Sequence, residues 1–425
     1  MNNEIPLSSY FHFDQDLCSG CLKCVKICPT KAIRLRDNHV LEIVDHCIGC
    51  WECVRVCPTG ALRAATSEFK SLKKDKVSVV LVRPTLYAQF PTAMPSDVLL
   101  GLRQIGFQHA MDMLDYIEIF QCATEAFIVR NRDTHQAPLP LISPYCPVVI
   151  HLIAVKFPSL LDHVLPVMRP VELMAREVKQ GIVKEKGVKE EDVVLYHITP
   201  NRCSHPLVST HVDKVLGIND VYAQLAQKIE QIYKADQIPV SWNTSNSFSV
   251  GNSLRWAVSG EEIASIDIDR SLAVSGLREV ISYLEKIEMG LFSDVEYIEF
   301  RSCSEGCVGG ALTAIDKYVA KTTIQKMIRK FNPKRRLPRE KILRLYEKGR
   351  FTSETNSSKL AGLFDSPKGP LSIESLQEID MLLELINGKD CGACGAPDCR
   401  TFSEDVVRGR ASQKDCFLIG ARGKR

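Results

Sequence analysis

One cysteine pattern, written twice, constrains this chain more than any other feature. Cys18, Cys21, Cys24 and Cys28 are followed by Pro29, and Cys47, Cys50, Cys53 and Cys57 by Pro58, so each run reads C-x2-C-x2-C-x3-C-P. The period is 29 residues, Cys18 to Cys47, and both halves end alike in C-P-T-x-A-[IL], at Cys28 to Ile33 and Cys57 to Leu62. Zinc knuckles pair two C-x2-C units across a spacer, whereas here four cysteines come in one run. A disulfide framework belongs to secreted chains. Met1 to Tyr10 contains Glu4 and lacks the basic and apolar regions of a signal peptide, and no apolar run is long enough to span a bilayer. The expected compartment is the cytoplasm, where thiols in such spacing hold metal.

The repeat resembles the two-cluster bacterial ferredoxins, in which the fourth cysteine of each run ligates the other cluster. That resemblance implies that Cys18, Cys21, Cys24 and Cys57 hold one 4Fe-4S cluster, and Cys47, Cys50, Cys53 and Cys28 a second. Two adjacent clusters imply electron transfer. Exposed low-potential clusters are oxygen-sensitive, so an anaerobic cell is the expected setting.

The chain has 425 residues, enough for two or three domains. A net charge of +3 makes neither nucleic acid nor a membrane its defining partner. Of its 17 cysteines, eight lie in the repeat and four (Cys391, Cys394, Cys399, Cys416) crowd the C-terminus. The middle holds Cys122, Cys146, Cys203, Cys303 and Cys307. Cys122 fits no ligand spacing and is expected to pack a helix.

After a Ser-, Lys- and Glu-rich linker at Ser67 to Lys76, the pattern changes. Short apolar runs at Val77 to Val82, Leu139 to Ile142, Val193 to Ile198, Val212 to Ile218 and Val295 to Phe300 read as strands. Helix-length segments lie between them: Ser96 to Gly106, Glu172 to Lys186, Val221 to Ala235 and Ser271 to Met289. Such alternation predicts an α/β domain with mostly parallel sheets, whose chemistry gathers beyond the carboxyl ends of strands. Cys146, Cys203 and Cys303 each follow a strand. Cys303 and Cys307 form C-x3-C before Gly309 and Gly310 and an expected helix, Ala311 to Ala320. The glycines would let backbone approach a bulky cofactor, and the helix N-terminus would favour an anionic one. From spacing alone, a pair of buried thiols and a pair of metal ligands both remain open.

Val77 to Tyr346 resembles the large-subunit catalytic domain of the iron-only (FeFe) hydrogenases, and more closely its sensory or regulatory branch. The resemblance rests on Val79 to Phe90 (VVLVRPTLYAQF), Pro140 to Pro166 (PLISPYCPVVIHLIAVKFPSLLDHVLP), Tyr196 to Pro200 (YHITP) and Val295 to Leu312 (VEYIEFRSCSEGCVGGAL). It implies that Cys146 and Cys303 bind a 4Fe-4S cubane and that Cys307 bridges to a two-iron unit with CO and cyanide. Three positions depart from the family. Tyr145 stands where active enzymes carry a proton-relaying cysteine, Asn201 where a ligand cysteine belongs, and Ser204 where a lysine anchors cyanide. Cys203, two residues beyond Asn201, is the candidate replacement ligand. His197 and His205 flank this motif and read as structural.

Lys321 to Arg350 carries twelve Lys or Arg against two Glu, a solvated helical face or a docking surface for an acidic partner. Gly349 to Gly369 reads as a linker. A helix at Ile373 to Asn387, capped by Gly388, leads into Cys391-Gly392-Ala393-Cys394-Gly395-Ala396-Pro397-Asp398-Cys399, with Cys416 closing the set. This resembles the small 4Fe-4S domain of electron-transfer subunits such as those of the Rnf complex.

The expected architecture is multidomain α/β. Residues 1–66 form a small ferredoxin-like two-cluster domain, 77–350 a hydrogenase-like α/β domain with mostly parallel sheets, and 370–425 a small helical iron–sulfur domain. The expected function is an iron–sulfur redox protein that relays electrons between 4Fe-4S clusters and a hydrogenase-like site, sensory or electron-transferring rather than a fast hydrogenase. The alternative is an active hydrogenase that interconverts protons and H2. The expected partner is a redox protein: a ferredoxin, a flavodoxin, or a signalling or redox enzyme subunit. Neither a membrane nor nucleic acid is expected as a partner.

Overall fold

The computed structural model describes residues 11–36, 40–44, 47–64, 72, 76–201, 211–234, 251–330, 337–353, 371–386 and 388–422. It divides into two compact units, one made of Met1–Ala65 with Gly362–Arg425 and the other of Thr66–Ala361. Most of the linker at 67–76 and all of 354–369 lie outside the described residues, as do Cys203, Ser204 and His205.

In the first unit, β1 (Phe11–Phe13) pairs antiparallel with β4 (Leu62–Ala64), and β2 (Ile33–Arg36) with β3 (Val40–Ile43). β2 and β3 close a hairpin, while β1 and β4 join a strand before the first cysteine run to a strand after the second. Each run carries one five-residue helix, Lys23–Ile27 and Glu52–Val56. Helices this short do not persist alone. Here Val25 is fully buried, and the residues that open the two helices, Leu22 and Trp51, adopt left-handed φ of 59° and 66°.

The C-terminal segment folds on this same hairpin. Its helices Ile373–Ile386 and Cys399–Val407 pack through Ile386 and Phe402 onto Ala396, Cys399 and Cys416. Leu35 N–H of β2 donates to the Gly395 carbonyl (2.9 Å). Gly395 has φ of +77°, and a Cβ there would run into the Leu35 carbonyl, so only glycine fits. Asp405, with no exposed surface, accepts from Arg34 Nε (2.5 Å) and from an Arg36 guanidinium nitrogen (2.7 Å). Removing one partner of a buried pair costs about 3–5 kcal/mol. The Lys31–Asp398 pair (2.7 Å) holds a lysine side chain that is 53% exposed, and such pairs contribute about 1 kcal/mol or less. Asp405 is therefore the anchor.

The second unit contains two all-parallel sheets. The first has the order β6 (His109–Asp112), β5 (Val77–Val82), β8 (Val193–Thr199), β9 (Lys214–Gly217), with Val79 opposite both His109 and Leu195. The second has the order β10 (Ser271–Ser275), β11 (Tyr297–Arg301), β7 (Leu141–Ile142). Continuous apolar runs such as Val79 to Val82, all fully buried, are what a sheet covered on both faces demands. The helices Pro95–Ile105 and Ile218–Lys234 cover one side, and Leu114–Thr134 and Pro170–Lys186 supply the other core. Cys122 lies in Leu114–Thr134, fully buried among apolar side chains.

Two sequence expectations change here. Ser271 to Met289 is strand β10 followed by the helix Leu277–Glu288, because pairing with β11 overrides a continuous helical pattern. The helix expected at Ala311 starts only at Lys317. The preceding backbone is committed elsewhere: Leu312 N–H donates to the Pro200 carbonyl and Asn219 N–H to the Leu312 carbonyl, both at 2.9 Å. Among the described residues, no helix is long and apolar enough to cross a membrane.

Candidate metal centres

In the first unit the fold collects the cysteines into two sets that cross between the runs. Cys24 interacts electrostatically with Cys21, Cys18 and Cys57, and Cys50 with Cys28, Cys47 and Cys53. Cys28, Cys47, Cys50 and Cys53 line one cavity of about 430 Å³, counting its open mouth, with Phe11, Ile33, Ile48 and Trp51 in its apolar wall. Burial, with their mutual repulsion, pushes the Cys24 and Cys47 thiols up to about 11 and Cys50 and Cys53 up as well. Backbone N–H groups at Val25, Gly49 and Glu52 oppose the rise for Cys24, Cys47 and Cys50. Four sulfurs that cannot together be anionic in an apolar cavity fit a cationic iron core, which replaces their protons. Cys28 Sγ also accepts from Ala32 N–H (3.3 Å).

The C-terminal thiols converge similarly. Cys394 interacts with Cys416 and Cys391, and Cys399 with Cys391. Asp390 frames this site: its N–H donates to Cys399 Sγ (3.3 Å) and its carboxylate accepts from Cys399 N–H (2.7 Å). The donor set again fits an iron–sulfur cluster.

In the second unit, Cys146 follows β7 and Cys303 follows β11, so both sit at carboxyl ends of one parallel sheet. Ser302 Oγ lies between them, 3.5 Å from Cys146 Sγ and 3.8 Å from Cys303 Sγ. Cys307 interacts with Cys146. Asn201 directs its amide Nδ2 to Cys303 Sγ at 3.8 Å, so the residue at the departed ligand position still faces the site. Three thiols and an amide are thus brought together. Among the described residues no group of three His, Cys, Asp or Glu side chains closes on a single metal ion.

Sequence reasoning overlooked the charges beneath these thiols. Arg301 of β11 is fully buried; it donates to Glu262 (2.6 Å) and Glu299 (3.1 Å). Glu262 also accepts from Ser143 Oγ (2.7 Å) and Tyr297 OH (2.6 Å), and Glu299 from the N–H groups of Gly260, Glu262 and Ile263. The signal was present: two charges, Glu299 and Arg301, in the otherwise apolar strand Tyr297–Arg301 are abnormal for a buried strand. This network holds Arg301 4.0 Å from the Tyr145 ring centroid, and Arg83 lies 5.0 Å from it. Phe120 and Trp256 pack against the same ring, Trp256 at 5.4 Å.

Cys146, Cys303 and Cys307 fit part of a cubane's donor set. Around Cys307, the residue expected to bridge to a two-iron unit, the structure places Arg83, Arg301 and Tyr145. Burial raises the Cys307 thiol, Arg83 and Arg301 counter that effect, and Tyr145 packs against the same guanidinium groups. The glycines expected to admit a cofactor instead admit protein: a Cβ on Gly309 would strike the Ser304 carbonyl and one on Gly310 the Pro200 carbonyl. Nor does a helix begin at Cys307, where a single 3-10 turn, Cys307–Gly309, is found.

Comparison with known proteins matches three stretches of the chain. Residues 11–58 match the 4Fe-4S dicluster domain, residues 76–228 the C-terminal domain of the iron only hydrogenase large subunit, and residues 386–417 the family described as "putative Fe-S cluster". No curated protein matches the chain. Among solved structures, the [FeFe]-hydrogenase HydA(deltaEFG) is similar at 17% identity, with 69% of this chain and 95% of that one covered and a TM-score of 0.47. An apo variant of HydA1 from Chlamydomonas reinhardtii is similar at 15% identity, with the same coverage and a TM-score of 0.48.

Proposed function

We propose that this iron–sulfur, hydrogenase-like protein relays electrons between its 4Fe-4S clusters and the thiol site of the second unit, as a sensor or electron carrier rather than a fast hydrogenase. Tyr145, packed against Arg83 and Arg301 beside Cys146, is the observation that carries this reading. A proton relay needs a group that reaches both solvent and the reacting atoms; Tyr145 is 2% exposed and packed against both guanidinium groups. Burial also lifts its hydroxyl above the ordinary tyrosine range, so it releases a proton reluctantly.

When bound, a 4Fe-4S cluster takes up and returns one electron. The chain's own residues then set how readily. In the first unit the N–H donors at Cys24, Cys28, Cys47 and Cys50 stabilise the more negative state of whatever the thiolates hold. In the second, Arg301 and Arg83 place positive charge beside Cys307, while Glu262 and Glu299 keep Arg301 from being an uncompensated buried cation. Cys203 is the proposed fourth ligand beside Cys146, Cys303 and Cys307, replacing the ligand expected at Asn201. A ferredoxin, flavodoxin or redox-signalling subunit in the cytoplasm is the proposed electron partner.

Hydrogen evolution from reduced viologen, run beside a potentiometric titration followed by electron paramagnetic resonance, tests this. Reversible one-electron signals with hydrogen production at background are the expected result. Sustained hydrogen production that is lost in Cys307→Ser would replace this reading with the catalytic one.

A further inference from the structure

At the carboxyl ends of β5 and β8 lies a cavity of about 330 Å³, counting its mouth. Arg83, Arg169, His197, Thr199 and Asn201 supply its polar wall, and no carboxylate is among the lining residues. Arg83 and Arg169 are 8% and 7% exposed. Arg169 is held by Glu172 (2.6 Å), and Arg83 lies over Tyr145.

His197 is buried on β8, and among the described residues neither of its ring nitrogens has a hydrogen-bond partner. Burial, Arg83 and Arg169 all lower its pKa, so the ring is neutral, offering one N–H donor and one acceptor. Asn201 Oδ1 is likewise buried without a partner among the described residues, while Thr199 Oγ1 is used in donating to the Asn201 carbonyl (2.9 Å). Buried polar groups left unpaired are costly, and these face one space between two cations.

We infer that this cavity binds a small oxyanion that carries an O–H group, with the chemistry of hydrogencarbonate or hydrogenphosphate. The guanidinium groups and the imidazole N–H donate to the anionic oxygens. The ligand's hydroxyl donates to Asn201 Oδ1 or to the second His197 nitrogen, which an anion of acceptors only would leave unpaired. Because Asn201 also touches Cys303 Sγ, an occupant of the cavity reaches the thiol site through one side chain. The inference goes beyond the electron-relay reading and does not rest on it.

Isothermal titration calorimetry of the full anaerobic protein with hydrogencarbonate, inorganic phosphate and sulfate is the test. Expected is saturable one-to-one binding of hydrogencarbonate or phosphate, with sulfate at least tenfold weaker. Arg83→Met and Arg169→Met, each removing a guanidinium donor, should each weaken binding at least tenfold, with circular dichroism confirming that they fold. No saturable binding, sulfate binding as tightly as the other two, or affinity unchanged in Arg83→Met overturns the inference. Hydrogen production, by contrast, would overturn only the relay reading.

Discussion

Replacing Asp405 with alanine strips the buried counter-charge from Arg34 and Arg36 at once. Arg34 is the more severely affected, since its side chain is 5% exposed against 15% for Arg36. It keeps bonds to the carbonyls of Lys31 (2.5 Å) and Ile33 (3.1 Å), which places the loss at the low end for a broken buried pair, about 3 kcal/mol. With a urea slope of about 1–3 kcal/mol per molar, the midpoint for the first unit falls by roughly 1 M or more. Urea titration of the anaerobic full chain, followed by circular dichroism and by the visible absorption of its clusters, measures this. Lys31→Ala, which breaks only the exposed pair with Asp398, serves as the control and should cost about 1 kcal/mol or less. Arg34→Met with Asp405→Leu should recover part of the loss, because a buried pair replaced by apolar groups is often near neutral. A loss from Asp405→Ala no larger than the control's would refute the assignment of Asp405 as the anchor of the C-terminal segment on β2.

Further outcomes follow from the same geometry. Cys57→Ser should remove the cluster held by the first run's thiols and spare the other, while Cys28→Ser should do the reverse; iron analysis with electron paramagnetic resonance separates the two. Gly395→Ala should destabilise the first unit by more than the ~1 kcal/mol typical of a helix glycine exchange, since its Cβ meets the Leu35 carbonyl, and urea titration reads this too. Hydrogen bonds from Arg132, then Arg270, hold Glu296 below the ordinary glutamate range. The stabilisation they give is complete above pH 4.5 and is lost as pH falls through the depressed value. Glu296→Gln should flatten that acid limb in thermal unfolding.

The parts that could be read from sequence were those in which one residue type does one job. The cysteine runs mark where thiols gather, and apolar runs such as Val77 to Val82 identify buried parallel strands. The joining of the C-terminal segment to the ferredoxin hairpin could not be read. It depends on Arg34, Arg36 and Asp405, whose separation in sequence hides a pairing that exists only after folding. The same holds for the second unit's thiol site. Tyr145 and Asn201 stood out as departures, but what they do depends on Arg83, Arg301, Glu262 and His197, which reach it from four separate stretches. Gly309 and Gly310 were misread because close backbone approach was known to be needed, but not what approaches.

We propose that the thiol site of the second unit works without a two-iron unit. The most direct measurement is an infrared spectrum of the full chain, produced anaerobically together with hydrogenase maturation factors. Brown, iron-replete protein with no CO or cyanide stretching bands is the result this proposal predicts. Bands that appear in the wild type and vanish in Cys307→Ser would contradict it.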